Sequence, residues 1–522
     1  MGPQVIHLPD GQRFTVTPVF AGLFFKSNEL STHHNAFPIG WTIVIHTEDD
    51  DNDDDEEGKT NSTSGPSERK PHVHCFKKPT LHNDSLFISS ISSPSSSDFK
   101  PAASPTRQIA MMLWVTLYWY FHQPPPPTTL TTEASKLTPK PGKPRGDWRV
   151  RVKRDGVLRG RNLIPKLERM GLIASFNSAV GTALEDSDDV WANMFVSQRM
   201  FWQIPGRLFL FTLQPAGNTM ARSYPGSPTP SRPGSPVAAA AAEAADLPGA
   251  APPASLTSVP SFPIGPFFSA SHLPTYYPPP PLQYTITNHV RHPFRPKPPR
   301  MGEVFYTRFV PSVGQYLSFR VASISPKPVP YMGPVAWPNN NNNNNNKKKK
   351  PPSSSSSSQH LLSLPDSALL ETWHANPRVA HFWGEYAPGM LANALQSRHS
   401  FPAIGLWDGV PFGYFELYWV KEDVLGRYAG AGIEDWDRGC HVLIGEEWAR
   451  GRVQSWLSSL VHWMFCADNR TMSICLEPRV DNVRFIQHLE EAGFTKEKEI
   501  TFPHKQAWFG RLRRETWEGP AL

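Results

Sequence analysis

The residues able to do chemistry crowd into the last third of the chain. In "DRGCHVLIG" (437–445) His441 stands near the start of an apolar run that reads as a strand. A histidine there can project into a cleft and exchange a proton near neutral pH, or it can be a strand-end residue hydrogen-bonded for structure alone. Cys440 beside it points to the opposite face by strand alternation, so a Cys–His nucleophile pair is not expected. In "ARGRV" (449–453), between this strand and a helix, Arg450, Gly451 and Arg452 can present backbone N–H and cationic groups to a phosphate, or can simply begin the helix. "EPRVDN" (477–482) closes the next strand. Asp481 can orient an imidazole or accept a proton itself, or it can cap the following helix; Asn482 can take over the cap, and Glu477 is a second carboxylate for the same duty.

Upstream, Arg378 in "NPRV" and Glu416 in "GYFELYW" carry opposite charges suited to the two ends of an amino acid. Trp383, Tyr418 and Trp419 are available as walls of such a pocket or as core, and Lys505 in "FPHKQAW" is a further cation for it. Histidines, cysteines and carboxylates nowhere show metal-ligand spacing, so no metal is expected and zinc-dependent hydrolysis is excluded.

These residues need elements to hold them. "DSALLETWHANPRVAHFW" starts helical with Asp366 as N-cap, and "FPAIGLWDGVPFGYFELYWV" (401–420) alternates about "WDGVP" as a hairpin. Strand 441–448, helix 452–467, strand 471–478, helix 483–493 and a closing strand pair follow. This order predicts a mixed sheet covered by helices within an α+β chain. Near the other end, "VIHLPDGQRFTVTPVFAGLFFK" and "FPIGWTIVIHTE" predict a hairpin or meander. "IAMMLWVTLYWYF" (109–121) predicts a buried helix too short to span a bilayer. "LIPKLERMGLIASF" and "DVWANMFVSQRMFWQI" space their apolar residues as helices do. The coarse pattern also allows the N-terminal domain to be a degenerate copy of the C-terminal fold.

With 56 prolines in 522 residues and a mean hydropathy of −0.41, much of the chain must be linker. The boundaries predicted are an N-terminal α+β domain at 1–213 with an acidic loop at 47–70, a Pro/Ala-rich disordered linker at 214–262 and a connecting segment at 263–338. An Asn/Lys/Ser linker at 339–358 and the C-terminal domain at 359–522 complete the chain. The net charge of +6 is scattered. The basic stretch 147–161 fits a strand and turn better than a nucleic-acid surface, so neither nucleic acid nor membrane is an expected partner. Four cysteines without CxxC spacing and a start unlike a signal peptide point to a reducing interior.

Taken together, "WHANPRVAHFWGE" (373–385), "GYFELYWVKED" (413–423), "DRGCHVLIG", "EPRVDN" and "FPHKQAWF" (502–509) resemble the siderophore-biosynthetic branch of the GNAT acyltransferase superfamily. The Asn482-to-Gly493-Phe494 helix resembles the superfamily's late signature, and the opening of the chain looks like that of fungal members. The "ARGRV" loop departs from the usual pattern at Trp448 and Val453. The resemblance implies a C-terminal GNAT-like fold and acyl transfer from an acyl-CoA, most simply acetyl-CoA, to the side-chain hydroxylamine of N5-hydroxyornithine, forming an iron-chelating hydroxamate. It implies catalytic roles for His441, as proton acceptor, and Asp481. It implies cofactor contacts from Arg450, Gly451, Arg452 and Asn482, and acceptor contacts from Arg378, Trp383, Glu416, Tyr418, Trp419, Glu477 and Lys505. A bulkier mevalonate-derived donor is the alternative within this class. A non-catalytic GNAT-like binding or scaffold protein is the alternative outside it. Since the chain ends in "GPAL", a cytoplasmic rather than peroxisomal location is expected, and homo-oligomerisation is left open.

Overall fold

In the computed structural model, residues 2–20, 22–28, 39–48, 73–93, 104–160, 162–175, 194–212, 267–268, 282–336 and 360–522 are described. Both predicted linkers, and the acidic loop beyond Glu48, lie outside these residues.

The N-terminal half is a nine-stranded sheet. Its strands are β1 (Gln4–His7), β2 (Arg13–Val19), β3 (Gly22–Ser27), β4 (Gly40–Glu48), β5 (Val73–Cys75), β6 (Asp84–Ser92), β7 (Arg149–Val152), β8 (Ala174–Ser175) and β9 (Met194–Ser197). They run β1-β2-β3-β4-β6-β7-β9-β8, with β5 beside β4. The meander forms as expected because Phe14 and Val16, then Leu23 and Phe25, alternate into the core. The apolar run becomes the helix Pro105–Tyr120, capped by Ser104 and buried over nearly its whole length. One expectation fails at 194–197, where a strand replaces helix. Met194 and Val196 are buried at period two, and Ser197 then caps the short helix Gln198–Trp202.

Two small pairs follow. β10 (Phe211–Thr212) lies parallel to β11 (Phe267–Phe268), and β12 (Tyr284–Thr287) forms a hairpin with β13 (Val290–Pro293).

The C-terminal sheet has eight strands in the order β14-β15-β16-β17-β18-β19-β21-β20. These are β14 (Val304–Val310), β15 (Gln315–Val321), β16 (Ser400–Trp407), β17 (Val410–Trp419), β18 (Arg438–Ile444), β19 (Ser473–Leu476), β20 (Thr495–Thr501) and β21 (Gln506–Arg513). The sheet therefore begins well before residue 359. The segment 263–338 is not merely a connection, since β15 pairs with β16 from Leu317↔Trp407 to Val321↔Ala403. The predicted hairpin is β16–β17, turning at Asp408 and Gly409 with φ of 46° and 86°. Asp-Gly is the pair such a turn favours.

Asp366 is the first helical residue rather than the N-cap, which is Pro365. Its carboxylate instead accepts two hydrogen bonds from Arg320 at 2.7 and 2.9 Å, and one from the Ser323 amide at 2.7 Å. This buried pair ties β15 to the helix Asp366–His374, which leads into the helix Pro377–Trp383 over the sheet.

The two sheets share one topology. Counting β6 as the counterpart of β18, every neighbouring pair is antiparallel except one parallel pair, β6–β7 in the first sheet and β18–β19 in the second. A long helix joins each parallel pair, Pro105–Tyr120 and Val453–Ala467, and a shorter one follows each, Leu163–Arg169 and Val483–Glu491. The helices between β15 and β16 have no counterpart between β2 and β3, which only two residues separate. The degenerate-copy expectation thus has a topological basis. Residues from both halves form one continuous core, and Cys466 Sγ donates to the Trp202 carbonyl across the junction at 3.4 Å. Among the described residues no helix is long and apolar enough to cross a membrane.

Replacing Asp366 with Ala should leave Arg320 buried and unpaired, costing about 3–5 kcal/mol. Chemical denaturation would measure this, and a loss below about 1 kcal/mol would contradict the tie.

Candidate active site

The parallel pair β18–β19 lasts for two residue pairs, Arg438↔Ile474 and Gly439↔Cys475. Beyond them the strands separate, while β18 remains paired to β17 as far as Ile444. A cleft of about 530 Å³ opens in the gap, lined by 440–444 of β18, the chain from Leu476 to Arg479, and the helix Val483–Glu491.

His441 sits at the head of this gap. Its cross-strand partner is Glu416, and Glu477 follows the end of β19. Nδ1 of His441 lies 3.1 Å from Glu416 Oε2, and Nε2 lies 3.1 Å from Glu477 Oε1. Each carboxylate has a tyrosine: Tyr414 donates to Glu416 at 2.8 Å and Tyr418 to Glu477 at 2.9 Å. Lys505 Nζ donates to the Glu477 carbonyl at 2.9 Å and lies 3.5 Å from its carboxylate. Tyr414, Glu416 and Tyr418 share a face because they alternate along β17. Gly439 makes room for the Tyr418 ring, since a Cβ there would stand 2.4 Å from it.

An ionised carboxylate only accepts, so with both acids ionised the imidazole between them carries protons on both nitrogens. Burial opposes that charge, but Glu477 beside it and the hydrogen bonds the ring donates to both carboxylates raise the His441 pKa from 6.5 to about 10. Burial likewise opposes charge on Glu477, and His441 overcomes it, drawing the pKa down from 4.5 to about 2. Glu416 also falls, through its His441 contact against the effect of burial. Burial and the adjacent Glu477 push Tyr418 well up, so it stays a donor. With its pKa raised by the two carboxylates, His441 favours the imidazolium, a form without the lone pair that the expected role of proton acceptor requires.

Asp481 is not part of this cluster. It is exposed and held by Arg479, whose guanidinium donates to it at 2.6 and 2.8 Å. Glu477, expected among the acceptor contacts, occupies the place beside His441. The reason is geometric: Glu477 directly follows the end of β19, whereas Asp481 lies four residues further on, past the turn.

The other expected residues divide. Arg450 and Asn482 line the cleft. Gly451 faces open space, in a 3-10 turn (Glu447–Arg452) that runs straight into the helix Val453–Ala467, which has no side-chain cap. Arg452 turns away, donating to Gln315 at 2.7 Å and stacking on Trp407 and Trp448. Arg378 lines the cleft but donates at 2.9 Å to the carbonyls of Ile444 and Gly445. Trp383 lines it and donates to the Val442 carbonyl at 3.1 Å. Trp419 lies on the other face beneath Arg295 and Arg438, outside this cleft. With Glu416 held by His441 and Arg378 by backbone, these two do not form a free charge pair for an amino acid. Residues not anticipated are Tyr414, Phe382, Arg479, Arg484, Phe485, His488 and His504. The polar alternation Tyr414-Glu416-Tyr418 in an otherwise apolar strand was the available signal for Tyr414. Cys440 is packed in the apolar core, and burial pushes its thiol up.

A mixed sheet parted at one parallel pair, with a helix following the parted strand beyond the gap, is the architecture of a GNAT acyltransferase. Residues 363–502 match the family model described as an acetyltransferase (GNAT) domain. The chain is 54% identical to N5-hydroxyornithine acetylase sidL of Beauveria bassiana, over 97% of this chain and 100% of that protein. It is 35% identical to N(6)-hydroxylysine O-acetyltransferase of Escherichia coli, over 41% of this chain and 57% of the relative. It is 31% identical to N(5)-hydroxyornithine:cis-anhydromevalonyl coenzyme A-N(5)-transacylase SIDF of Beauveria bassiana, over 46% and 48%. The chain belongs to the GNAT acyltransferase family, in the group that contains these proteins.

The raised His441 pKa makes its contribution to stability fully present below pH 6.5 and lost as pH climbs through about 10. The depressed Glu477 contributes above pH 4.5 and is lost as pH falls toward 2. The stability deficit of His441→Gln relative to wild type should therefore be greatest between pH 4.5 and 6.5 and shrink toward pH 10. Urea denaturation across that range would test this, and a deficit that stays level from pH 6 to 10 would contradict it.

Proposed function

We propose that the protein transfers an acetyl group from acetyl-CoA to the side-chain hydroxylamine of N5-hydroxyornithine, giving a hydroxamate for siderophore assembly. The full-length likeness to an N5-hydroxyornithine acetylase supports both donor and acceptor. The observation that carries the chemistry is His441 fixed between Glu416 and Glu477 at the point where β18 and β19 part.

The cleft suits CoA on charge. Arg450 and Arg484 line it, and the arginine-bearing 3-10 turn Glu447–Arg452 at the start of the helix Val453–Ala467 is the segment suited to a pyrophosphate. The Val442 and Ile444 carbonyls lie within reach of Trp383 and Arg378 on the cleft side. The amides of the same residues point the same way in a strand, so the Val442 N–H is the group suited to polarise the thioester carbonyl.

The acceptor nitrogen, less basic than an ordinary amine, attacks uncharged. A C–N bond forms and the carbonyl oxygen becomes an oxyanion; its collapse breaks the C–S bond. The nitrogen must lose a proton and the thiolate must gain one. Two carboxylates, one imidazolium and Lys505 make a cluster near neutrality, which can pass a proton without building charge. Glu416 is the more exposed acid, at 23% against 5% for Glu477. It receives the nitrogen's proton while the imidazolium supplies one to the thiolate, and return of the proton from Glu416 to His441 Nδ1 resets the cluster. A scaffold would have no use for this arrangement.

With acetyl-CoA and N5-hydroxy-L-ornithine, wild type should form hydroxamate and free thiol, and L-ornithine should give little. His441→Ala should lose about 10²–10⁴ in kcat. Hydroxamate formation at near wild-type rate in that variant would overturn the role. Wild-type kcat should show no His441 ionisation through neutral pH, because the imidazolium persists to about 10. Glu477→Gln removes the strongest influence raising that pKa, so a new ionisation should enter the kcat profile in the neutral range. An unchanged profile would contradict the assigned partnership.

A further inference from the structure

Arg438 begins the strand that carries His441, three residues away, and alternation turns its side chain to the opposite face. There a second cavity of about 520 Å³ opens between the two halves of the chain. It is walled by Pro205–Arg207, by residues 295–300, by the start of β16 and by the last turns of the helix Val453–Ala467. Its size falls in the range of small-molecule sites.

Arg438 is 7% exposed, with its guanidinium carbon 3.9 Å from the ring centre of Trp419 and 5.2 Å from that of Trp463. Among the described residues no carboxylate or carbonyl accepts from it, and its Nε is buried without a partner. Other arginines buried as deeply are engaged: Arg308 by Ser459, Arg320 by Asp366, Arg511 by Asp437 and Arg514 by backbone carbonyls. Burial pulls the Arg438 pKa down to about 9, against the nearby charge of Asp468 and with that of Arg295 and Arg470. Asp468 is committed elsewhere, since Arg470 donates to both its oxygens at 2.9 and 2.7 Å. Arg295 is likewise taken by Glu422.

At the mouth Arg207, Lys297, Arg300 and Arg398 are exposed, and Glu303 is the one carboxylate among the described lining residues. Glu303 accepts from the Arg300 amide at 2.8 Å. A guanidinium withdrawn from water with no carboxylate bonded to it, its nearest acid Asp468 being held by Arg470, is costly, and cations around the opening raise the local concentration of anions.

We propose that this cleft binds a small, multiply charged anion, a phosphate ester or a polycarboxylate, whose acidic group pairs with Arg438 between Trp419 and Trp463. The site is separate from the acyl-transfer cleft and does not depend on the reaction assigned to it.

Calorimetric titration of the full-length protein with pyrophosphate and, separately, with citrate tests this. Ionic strength is held constant and excess CoA is present to occupy the other phosphate-accepting cleft. At least one anion should bind with one-to-one stoichiometry, pyrophosphate alone marking a phosphate site and citrate alone a carboxylate site. Arg438→Gln should weaken binding by about tenfold or more, the loss of a charge-assisted pair. Should that variant fail to fold, the exposed pair Lys297→Ala/Arg398→Ala decides, with an expected weakening of roughly threefold that fades at high salt. No binding of either anion, or an affinity unchanged in the folded variants, would overturn the proposal.

Discussion

The site depends on a parallel strand pair that cannot continue. β18 and β19 hold register for two residue pairs and then part, so one edge of β18 turns toward a cleft while its other edge stays fixed to β17. Everything else serves that opening. Gly439 lets Tyr418 lie across the strand, Glu416 approaches from β17, and Glu477 arrives as β19 ends. The imidazole is thus caught by two acids on rigid elements, which a loop could not do with equal precision.

The N-terminal half shows what the same topology becomes without the chemistry. Its parallel pair, β6–β7, also holds for two residue pairs, Ser85↔Arg151 and Leu86↔Val152. Counting two residues on from the second pair, Ile88 stands where His441 does and Arg154 where Glu477 does. Ile43, the cross-strand partner of Ile88, takes the place of Glu416. The opening is filled by the turn Gly156–Arg159: Gly156, at φ 57°, passes so close that a Cβ would lie 2.3 Å from the Ile88 carbonyl, and Leu158 is wholly buried. Among the described residues this half therefore supports the active one through a shared core and places no second relay at the matching position.

Much of this was legible in the sequence where local signals suffice. Asp408-Gly409 announced the β16–β17 hairpin, the run at 109–121 its buried helix, and "DRGCHVLIG" the strand bearing His441. What failed depended on distant pairing. The strand at 194–197 was masked by helical spacing until β7 was there to receive it, and the β14–β15 hairpin looked like connecting sequence because β16, the strand that joins β15 to the sheet, lies some eighty residues further on. Asp481 and Glu477 could not be ranked from spacing, because the choice turns on where β19 ends relative to the cleft. Arg452 and Arg378 are drawn to Gln315 and to backbone carbonyls by tertiary contacts that no motif encodes.

Everything in the site turns on His441 being held doubly protonated by Glu416 and Glu477. Nitrogen NMR of protein labelled at the histidine rings, with His441 assigned by comparison with His441→Gln, would test it directly. Both ring nitrogens should keep the protonated shift at pH 8 and lose it only as pH approaches about 10. A neutral tautomer at pH 8 would contradict the account.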